Sequence, residues 1–267
     1  LTNGTNVSNT VVYIYQNGSL LVGGSGGNFS DFNSTHFDFG NYTGTTKSDG
    51  ENVTLNASID NYTKLLLHFN GTDGYNTNLT YDATGNHQFN FSGDAHFNTS
   101  ISKFGGSSGS FDGTDDMLNL TNSDDFVFGI GDFTIDTWVY RIGDNGLIFH
   151  QGNGTDRVMF RFDTDTGVSW GIYIGSSWVA LDQPTGLTAI PNNQWIHVAL
   201  VRAGDDFKRY HDGLQVGATQ TWASGNYTGF TGAFHVGGGK LDPSLNGFLD
   251  EFRISKGIAR WTANFTP

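Results

Sequence analysis

Carboxylates are the side chains of this sequence best suited to acid–base or nucleophilic chemistry. Glu occurs only at Glu51 and Glu251. A retaining glycosidase needs two carboxyl groups about 5 Å apart, one as the nucleophile and one as the acid. Glu251 has no carboxylate two or four positions away, and Asp132 and Asp136 lie four residues apart, which matches that geometry poorly. The carboxylates therefore predict no glycosidase site.

Histidine spacing gives no support for a transition-metal site. The eight His residues include no H-x-H or H-x-x-x-H pair, the spacings that place two ligands on one face. His68 and His197 lie inside apolar stretches, which favours a role in the core or the sheet. No order of Ser, His and Asp suggests a triad either. We predict that the chain has no catalytic residues and is not an enzyme.

Acceptor patterns for N-glycosylation, Asn-X-Ser/Thr, are the strongest signal in the sequence. They account for 17 of the 25 Asn residues, where random placement of Ser and Thr would give about 5. We predict covalent N-linked glycans on a secreted or surface-associated, extracellular protein. The acceptors are Asn3, Asn6, Asn17, Asn28, Asn33, Asn41, Asn52, Asn56, Asn61, Asn70, Asn78, Asn90, Asn98, Asn119, Asn153, Asn226 and Asn264.

Several acceptors fall within alternating apolar segments. Asn52 and Asn56 alternate with Val53, Leu55, Ala57 and Ile59, the pattern of a half-buried strand. Asn90 and Asn119 stand in the same way between apolar neighbours. These side chains are expected to point to solvent, so that glycans project from the outer faces of strands.

Charge and composition narrow the classes of partner. The formal net charge is -13, almost all of it from Asp, and such a chain repels nucleic acid and anionic membrane surfaces. The charge either attracts Ca²⁺ or keeps the protein soluble.

The sequence contains no run of 18 apolar residues, so no membrane span is expected. Cys is absent, which does not argue for the cytosol, because a domain of this size buries enough core without disulfides. The start at Leu1 is interpreted as a processed N-terminus or a trimmed chain.

Two regions differ in character. Residues 1–63 hold nine acceptor patterns and no Trp, whereas residues 64–267 read as a series of short strands separated by Gly, Asp and Asn turns. The second region predicts an all-β antiparallel sandwich. The first is interpreted as a glycosylated, β-rich N-terminal arm. One helical turn around residues 256–261 is the only helix expected.

The arm contains a run that is apolar on both strand faces, formed by Val11, Val12, Tyr13, Ile14 and Tyr15. Such a strand needs burial on both sides. We predict that it assembles the protein by completing a neighbour's sheet, which would make the chain a homopolymer. The alternative is a small extra sheet within the same molecule.

Seven motifs in series resemble the laminin-G-like, concanavalin A-like lectin/glucanase superfamily over residues 64–267, and they are most similar to copies in phage structural and environmental proteins. The resemblance implies a jelly-roll sandwich. The motifs lie at 65–71, 81–86, 103–113, 133–139, 194–200, 210–213 and 248–254. Trp138 and Trp195, which lie in two of them, are expected in the core.

Members of this superfamily often hold a structural Ca²⁺. The resemblance implies ligands at Asp112 and Asp250, with backbone near Gly113 and Asn70. Position 70 is often Asp in similar sequences but is Asn here, and Asp115 and Asp116 are alternative ligands. Oxygen donors of this kind suit Ca²⁺.

Two functions remain open after these exclusions. The preferred one is a non-enzymatic structural glycoprotein that builds a filament or surface coat through its arm. The alternative is a carbohydrate-binding adhesin or lectin domain. For sugar stacking the candidates are Trp170, Trp178 and Trp222, which lie outside the recognised motifs.

Overall fold

The computed structural model describes residues 11–16, 19–25, 42–45, 52–55, 59–76, 80–143, 146–152, 156–163, 167–174, 177–182, 190–222, 232–239 and 243–267. Clustering of contacts divides the chain into two compact units, Leu1–Ile59 and Asp60–Pro267. The division falls near the predicted boundary between residues 63 and 64.

The first unit contains two antiparallel strand pairs. Strand β1 (Val11–Gln16) pairs with β2 (Ser19–Ser25), and β3 (Tyr42–Thr45) pairs with β4 (Asn52–Leu55). The apolar run expected to assemble the protein is therefore the strand β1, and one of its edges pairs within the chain. Its donation to a neighbouring subunit stays a prediction.

The second unit is a sandwich of two antiparallel sheets. An eight-stranded sheet has the order β15-β14-β13-β12-β20-β10-β7-β6, and a nine-stranded sheet has the order β18-β17-β16-β11-β21-β9-β8, with β5 on β21 and β19 on β17. The strands are β5 (Thr63–Leu67), β6 (Thr80–Tyr81), β7 (Gln88–Ser92), β8 (His96–Asn98), β9 (Ser108–Asp112), β10 (Met117–Leu120), β11 (Phe133–Arg141), β12 (Gly146–Gly152), β13 (Arg157–Asp163), β14 (Gly167–Ile174), β15 (Ser177–Asp182), β16 (Trp195–Ala203), β17 (Asp206–His211), β18 (Leu214–Gln215), β19 (Gln220–Thr221), β20 (Ala233–Val236) and β21 (Asn246–Lys256). The predicted all-β jelly-roll sandwich is confirmed.

The core lies between the two sheets and is rich in aromatic rings. Trp170 on β14 stacks on Phe207 of β17 with ring centroids 4.4 Å apart, which joins one sheet to the other. Phe149 and Phe234 stack at 5.7 Å within the eight-stranded sheet. Because side chains alternate between the faces of a strand, the neighbours of these residues point away from the core.

Two expectations about the nine-stranded sheet were wrong. Trp138 and Trp195 do not enter the core, because Val139 and Ile196 beside them take the inward positions and leave both indoles half-buried on the outward face. The helical turn expected at 256–261 is absent from that described segment, where β21 ends at Lys256 and bends follow. Trp261 stacks on Phe265 beyond it at 3.9 Å.

Candidate functional site

The carboxylates considered for catalysis are each held by a structural partner. Glu251 accepts a hydrogen bond from Nδ1 of His68 at 2.8 Å. Asp132 accepts one from the backbone N–H of Gly204 at 2.7 Å. These contacts favour a structural role for both carboxylates.

Asp136 lies at the centre of a buried ion-pair network on the outward face of the nine-stranded sheet. Arg253 donates to both of its oxygens at 3.0 Å, and His197 Nε2 lies 3.3 Å from Oδ2. Burial opposes ionisation of this carboxyl, but the charge of Arg253 and the hydrogen bond from His197 outweigh it and lower the pKa of Asp136 to about 2. His197 is therefore a sheet residue, as its sequence context predicts.

The residues implied as calcium ligands do not form one site. Asp112 on β9 stands opposite Asn246 of β21, whereas Asp250 lies four residues further along the same strand, about 13 Å away. Gly113 follows Asp112 in a turn with φ +89. A single site that contains both Asp112 and Asp250 is therefore wrong, because the antiparallel register separates them.

Asp250 and Asn70 each approach a second location, the turn that contains Lys103 and Gly105. Oδ2 of Asp250 accepts hydrogen bonds from the backbone N–H groups of Lys103 and Phe104, both at 2.9 Å. A Cβ on Gly105 would overlap the amide of Asn70. Oδ1 of Asp250 is buried and has no hydrogen-bond partner among the described residues. A carboxylate oxygen and an amide oxygen at one turn are donors that Ca²⁺ accepts.

Asp112 belongs instead to an acidic cluster with Asp115 and Asp116. One carboxylate oxygen from each lies within 4.8 Å of the others. Asp116 is buried and accepts from the backbone N–H groups of Asp94 and Asp112, at 2.6 and 2.7 Å. Burial raises the pKa of Asp116, although these N–H groups act against the shift. The alternative ligands Asp115 and Asp116 thus lie beside Asp112 and away from Asp250.

The predicted sugar-stacking residues are placed differently from one another. Trp170 is buried in the core, so the expectation that it stacks on a sugar is wrong. Its position follows from alternation with Val168 and Ile172, which also point inward. Trp222 packs at the edge of the core with its ring 6.4 Å from Phe207. The side chain of Trp178 lies outside the described residues.

Outward-facing aromatic rings on the nine-stranded sheet form an arrangement that sequence reasoning missed. Tyr140 on β11 stands opposite Trp195 on one side and Phe248 on the other. The ring centroids lie 5.7 and 5.8 Å apart in edge-to-face geometry. Trp195 and Tyr140 are half-buried and Phe248 is 8% exposed. We call these three residues the aromatic strip. The inward alternation of Ile196, Val198 and Leu200 is the signal that could have placed Trp195 in it.

Polar groups border the aromatic strip at both ends. Asn193 and Gln194 precede Trp195 and are exposed. Asn246, two residues before Phe248, is half-buried and stands opposite Asp112 on the same face. The strip therefore combines apolar ring surface with amide and carboxylate groups.

Six predicted glycosylation acceptors have described side chains. Asn90 is exposed on β7 and Asn119 is half-buried on β10, and both alternate with core residues, so their outward direction agrees with the sequence pattern. The side chains of Asn61, Asn70 and Asn264 are also exposed, and Asn98 is half-buried. Glycosylation itself stays a prediction at all 17 positions.

A family profile described as the concanavalin A-like lectin/glucanases superfamily, laminin G type, matches residues 112–260. The chain belongs to this superfamily. No curated protein matches the sequence. This superfamily domain is thus recognised through its profile and its fold.

Solved structures share the sandwich at low identity, which shows the fold alone. Domain 4 of AbnA, an extracellular GH43 arabinanase of Geobacillus stearothermophilus, was solved in complex with arabinotriose. It has a TM-score of 0.58 and 18% identity, and the match covers 74% of this chain and 93% of that chain. The binding domain of Paraclostridial Mosquitocidal Protein 1 has a TM-score of 0.52 and 15% identity, and the match covers 67% of this chain and 47% of that chain. The receptor binding domain of a botulinum neurotoxin C/D mosaic serotype has a TM-score of 0.54 and 12% identity, and the match covers 76% of this chain and 50% of that chain. The chain thus spans about half the length of the two toxin domains.

A transmembrane helix needs about 20 consecutive, mostly apolar residues. The described segments contain no helix long and apolar enough to cross a membrane.

Proposed function

We propose that the second unit is a carbohydrate-binding domain. The aromatic strip of Trp195, Tyr140 and Phe248 carries this proposal, because a row of rings on an outward sheet face has no part in the core between the sheets. This reverses the preference drawn from the sequence, where sugar binding was the alternative to a filament subunit.

Aromatic rings suit sugars because a pyranose or furanose presents C–H groups on one face and hydroxyls at its edge. The half-buried rings of Trp195 and Tyr140 offer the apolar surface for that face at a small cost in side-chain entropy. Asn193, Gln194 and Asn246 supply donors and acceptors for the hydroxyls. Edge-to-face rings form a stepped surface, which fits a short oligosaccharide better than a flat crystalline polymer.

Similar folds support this choice over the filament. Domain 4 of AbnA was solved with arabinotriose, and two further similar structures are a binding domain and a receptor binding domain. Their identities of 12 to 18% transfer no residue to this chain. They support sugar or receptor binding as a use of this sandwich.

We further propose that the domain binds without catalysis. The superfamily contains both glycosidases and binding domains, so membership does not decide between them. The support comes from the carboxylates, because Glu251 is held by His68 and Asp136 by Arg253. An extracellular location, N-linked glycans on the acceptors and a structural Ca²⁺ at Asp250 complete the proposal. The similarity to phage structural proteins stays a prediction from the motifs.

Binding can be tested with an oligosaccharide array followed by calorimetry on the best ligand, with arabinotriose as the first probe. Trp195→Ala and Tyr140→Ala should each weaken binding by roughly 30-fold, the loss expected for a central aromatic contact. Tyr62→Ala is the matched control, since Tyr62 is 47% exposed outside the strip. If no oligosaccharide binds, or if all three variants bind as the parent does, the proposal is wrong.

A filament subunit is the second candidate, and strand β1 favours it. The β1–β2 pair is a two-stranded sheet within the first unit, and an isolated hairpin of this size is only marginally stable. A neighbour's sheet could pair with the edge of β1 that faces away from β2, where the described residues provide no strand partner. Electron microscopy of the full chain and of a version that starts at Asp60, the first residue of the second unit, tests this. Filaments that form only with residues 1–59 support the candidate, and filaments formed by the shortened chain contradict it.

A further inference from the structure

A second row of outward-facing residues crosses the eight-stranded sheet in register. Its members stand opposite one another on six neighbouring strands, and we call them the histidine row. Phe149 and Phe160, which neighbour two of them in sequence, fill the core, so the row points away from it. The row consists of Asn90, Asn119, His235, His150, Met159 and Gly171.

His150 at the middle of this row is buried without a hydrogen bond. Its exposed fraction is 6%, and neither of its ring nitrogens has a hydrogen-bond partner among the described residues. His235, 5% exposed, stacks beside it with ring centroids 5.9 Å apart. Buried polar nitrogens are nearly always satisfied in native proteins. Two unsatisfied nitrogens on one ring therefore point to a bound group outside the polypeptide.

The charges nearby define the chemistry of that group. Arg157 and Arg161 lie two residues to either side of Met159 on β13, and so they share its face. The Arg157 guanidinium lies 4.2 Å from the ring centroid of Tyr173. Arg161 lines a cavity of about 90 Å³ together with Leu147, the residue opposite it. The six residues of the histidine row include no carboxylate, and the nearest Asp in sequence to these arginines is the half-buried Asp156, which precedes Arg157.

The protonation of His150 is consistent with a positive environment. Burial lowers the pKa of His150 to about 4, and the neighbouring His235 and Arg157 act in the same direction. The neutral ring offers one N–H donor and one acceptor. A transition metal is disfavoured here, because two arginines repel a cation and the row supplies only two imidazoles.

We propose that the histidine row binds an oxyanion, with His150 donating to it and Arg157 and Arg161 providing the positive charge. The ligand is a carboxylate, sulfate or phosphate group, either free or carried by an acidic sugar. This site lies on the opposite sheet from the aromatic strip and does not depend on the proposed function. An oxyanion that binds only the folded state stabilises it by mass action.

Thermal unfolding of the full chain tests the site, with NaCl used to hold ionic strength constant. Sodium sulfate, sodium phosphate and glucuronate are titrated at millimolar concentrations, below the range in which sulfate stabilises proteins generally. Methyl glucuronate is the uncharged counterpart of glucuronate. At least one anion should raise the Tm in a saturable way, and the methyl ester should not. A response to the inorganic anions alone identifies a free oxyanion, and one to glucuronate alone identifies an acidic sugar.

His150→Phe separates a ligand role from a structural one. The substitution keeps an aromatic ring and removes both unpartnered nitrogens, so the variant should fold with an equal or higher Tm in the absence of anions and should lose the saturable shift. His96→Gln, on β8 of the other sheet, should keep that shift. The proposal is overturned if no anion gives a saturable shift, if His150→Phe responds as the parent does, or if Zn²⁺ gives the shift and the anions do not.

Discussion

Asn90 and Asn119 stand directly opposite each other on β7 and β10. Opposed residues of an antiparallel pair have Cβ atoms about 4.5–5.5 Å apart. Both asparagines are glycosylation acceptors, and both belong to the histidine row, where Asn119 also stands opposite His235. Two bulky glycans cannot lie on neighbouring strands at this separation without excluding each other.

The first prediction is that Asn90 and Asn119 compete for glycosylation. Intact mass should exceed the sequence mass of 29.0 kDa by many kilodaltons, because at least half of the 17 acceptors carry sugar. Asn119→Gln should raise the fraction of molecules glycosylated at Asn90, measured by peptide mapping after enzymatic deglycosylation. Asn61→Gln should leave that fraction unchanged. Frequent double occupancy of Asn90 and Asn119 would show that the two sites are independent, and a mass at the bare value would contradict glycosylation altogether.

The second prediction concerns the buried ion pair of Asp136 and Arg253. Asp136→Ala should lower the free energy of unfolding by about 3–5 kcal/mol, because it leaves a charged guanidinium without its partner. Asp60→Ala breaks the Asp60–Arg260 pair, in which Asp60 is 44% exposed, together with the hydrogen bonds that Asp60 accepts from Tyr62 and Thr63. It should still cost less than Asp136→Ala, because an exposed ion pair contributes little. Urea unfolding measures both. Equal losses in the two variants would mean that burial of the Asp136 pair contributes nothing extra.

The lowered pKa of Asp136 predicts that the stability of the protein depends on pH. Because the folded pKa of Asp136 is lowered from 3.8 to about 2, its contribution is complete above the unfolded pKa and is lost as pH falls from about 4 through 2. The parent should lose stability across this window more steeply than Asp136→Asn. Parallel curves for the two proteins would contradict the lowered pKa.

The third prediction concerns Asp250, whose pKa is raised where that of Asp136 is lowered. Burial raises the pKa of Asp250 to about 7, although the N–H groups of Phe104 and Lys103 oppose the shift. The folded state then binds more protons than the unfolded state between pH 4 and 7, so stability should fall as pH rises through this window, by up to roughly 4 kcal/mol. Asp250→Asn should flatten the profile.

Calcium should reduce that loss, since a cation at Asp250 favours the ionised carboxyl. At pH 8, CaCl₂ should raise the Tm and a chelator should lower it in the parent but not in Asp250→Asn. Asp112→Asn should behave as the parent does, because Asp112 lies elsewhere on the sheet. A chelator effect that Asp112→Asn removes and Asp250→Asn preserves would place the ion in the acidic cluster instead.

The fourth prediction separates two tryptophans by role. Trp170→Ala removes a buried ring stacked on Phe207 and should cost about 3–5 kcal/mol of unfolding free energy. Trp195→Ala removes a half-buried ring and should cost less than half as much, while it weakens sugar binding. Urea unfolding and calorimetry on the same two variants check the contrast. A fully stable Trp170→Ala protein would contradict the core position of that ring.

Much of the fold followed from the sequence because strand alternation is a local property. The apolar period around β7 and β10 correctly directed Asn90 and Asn119 outward, and the motifs at 133–139 and 194–200 coincide with β11 and the first part of β16. Turn glycines such as Gly204, at φ +62, end strands for a reason that concerns only their own backbone. The sandwich and its antiparallel pairing were readable in this way.

The sites depended on tertiary structure, because they join residues distant in sequence. The sequence alone determined the β-sandwich, the acidic charge and the positions of the glycosylation acceptors, all of which depend on residue type and short spacing. Only the folded chain decided that Val139 rather than Trp138 enters the core and that Glu251 meets His68. It also decided that Asp250 and Asn70 approach the turn of Lys103 and Gly105, while Asp112 lies elsewhere on the sheet. Register between strands sets those pairings, and it results from packing the whole sheet rather than from any one segment.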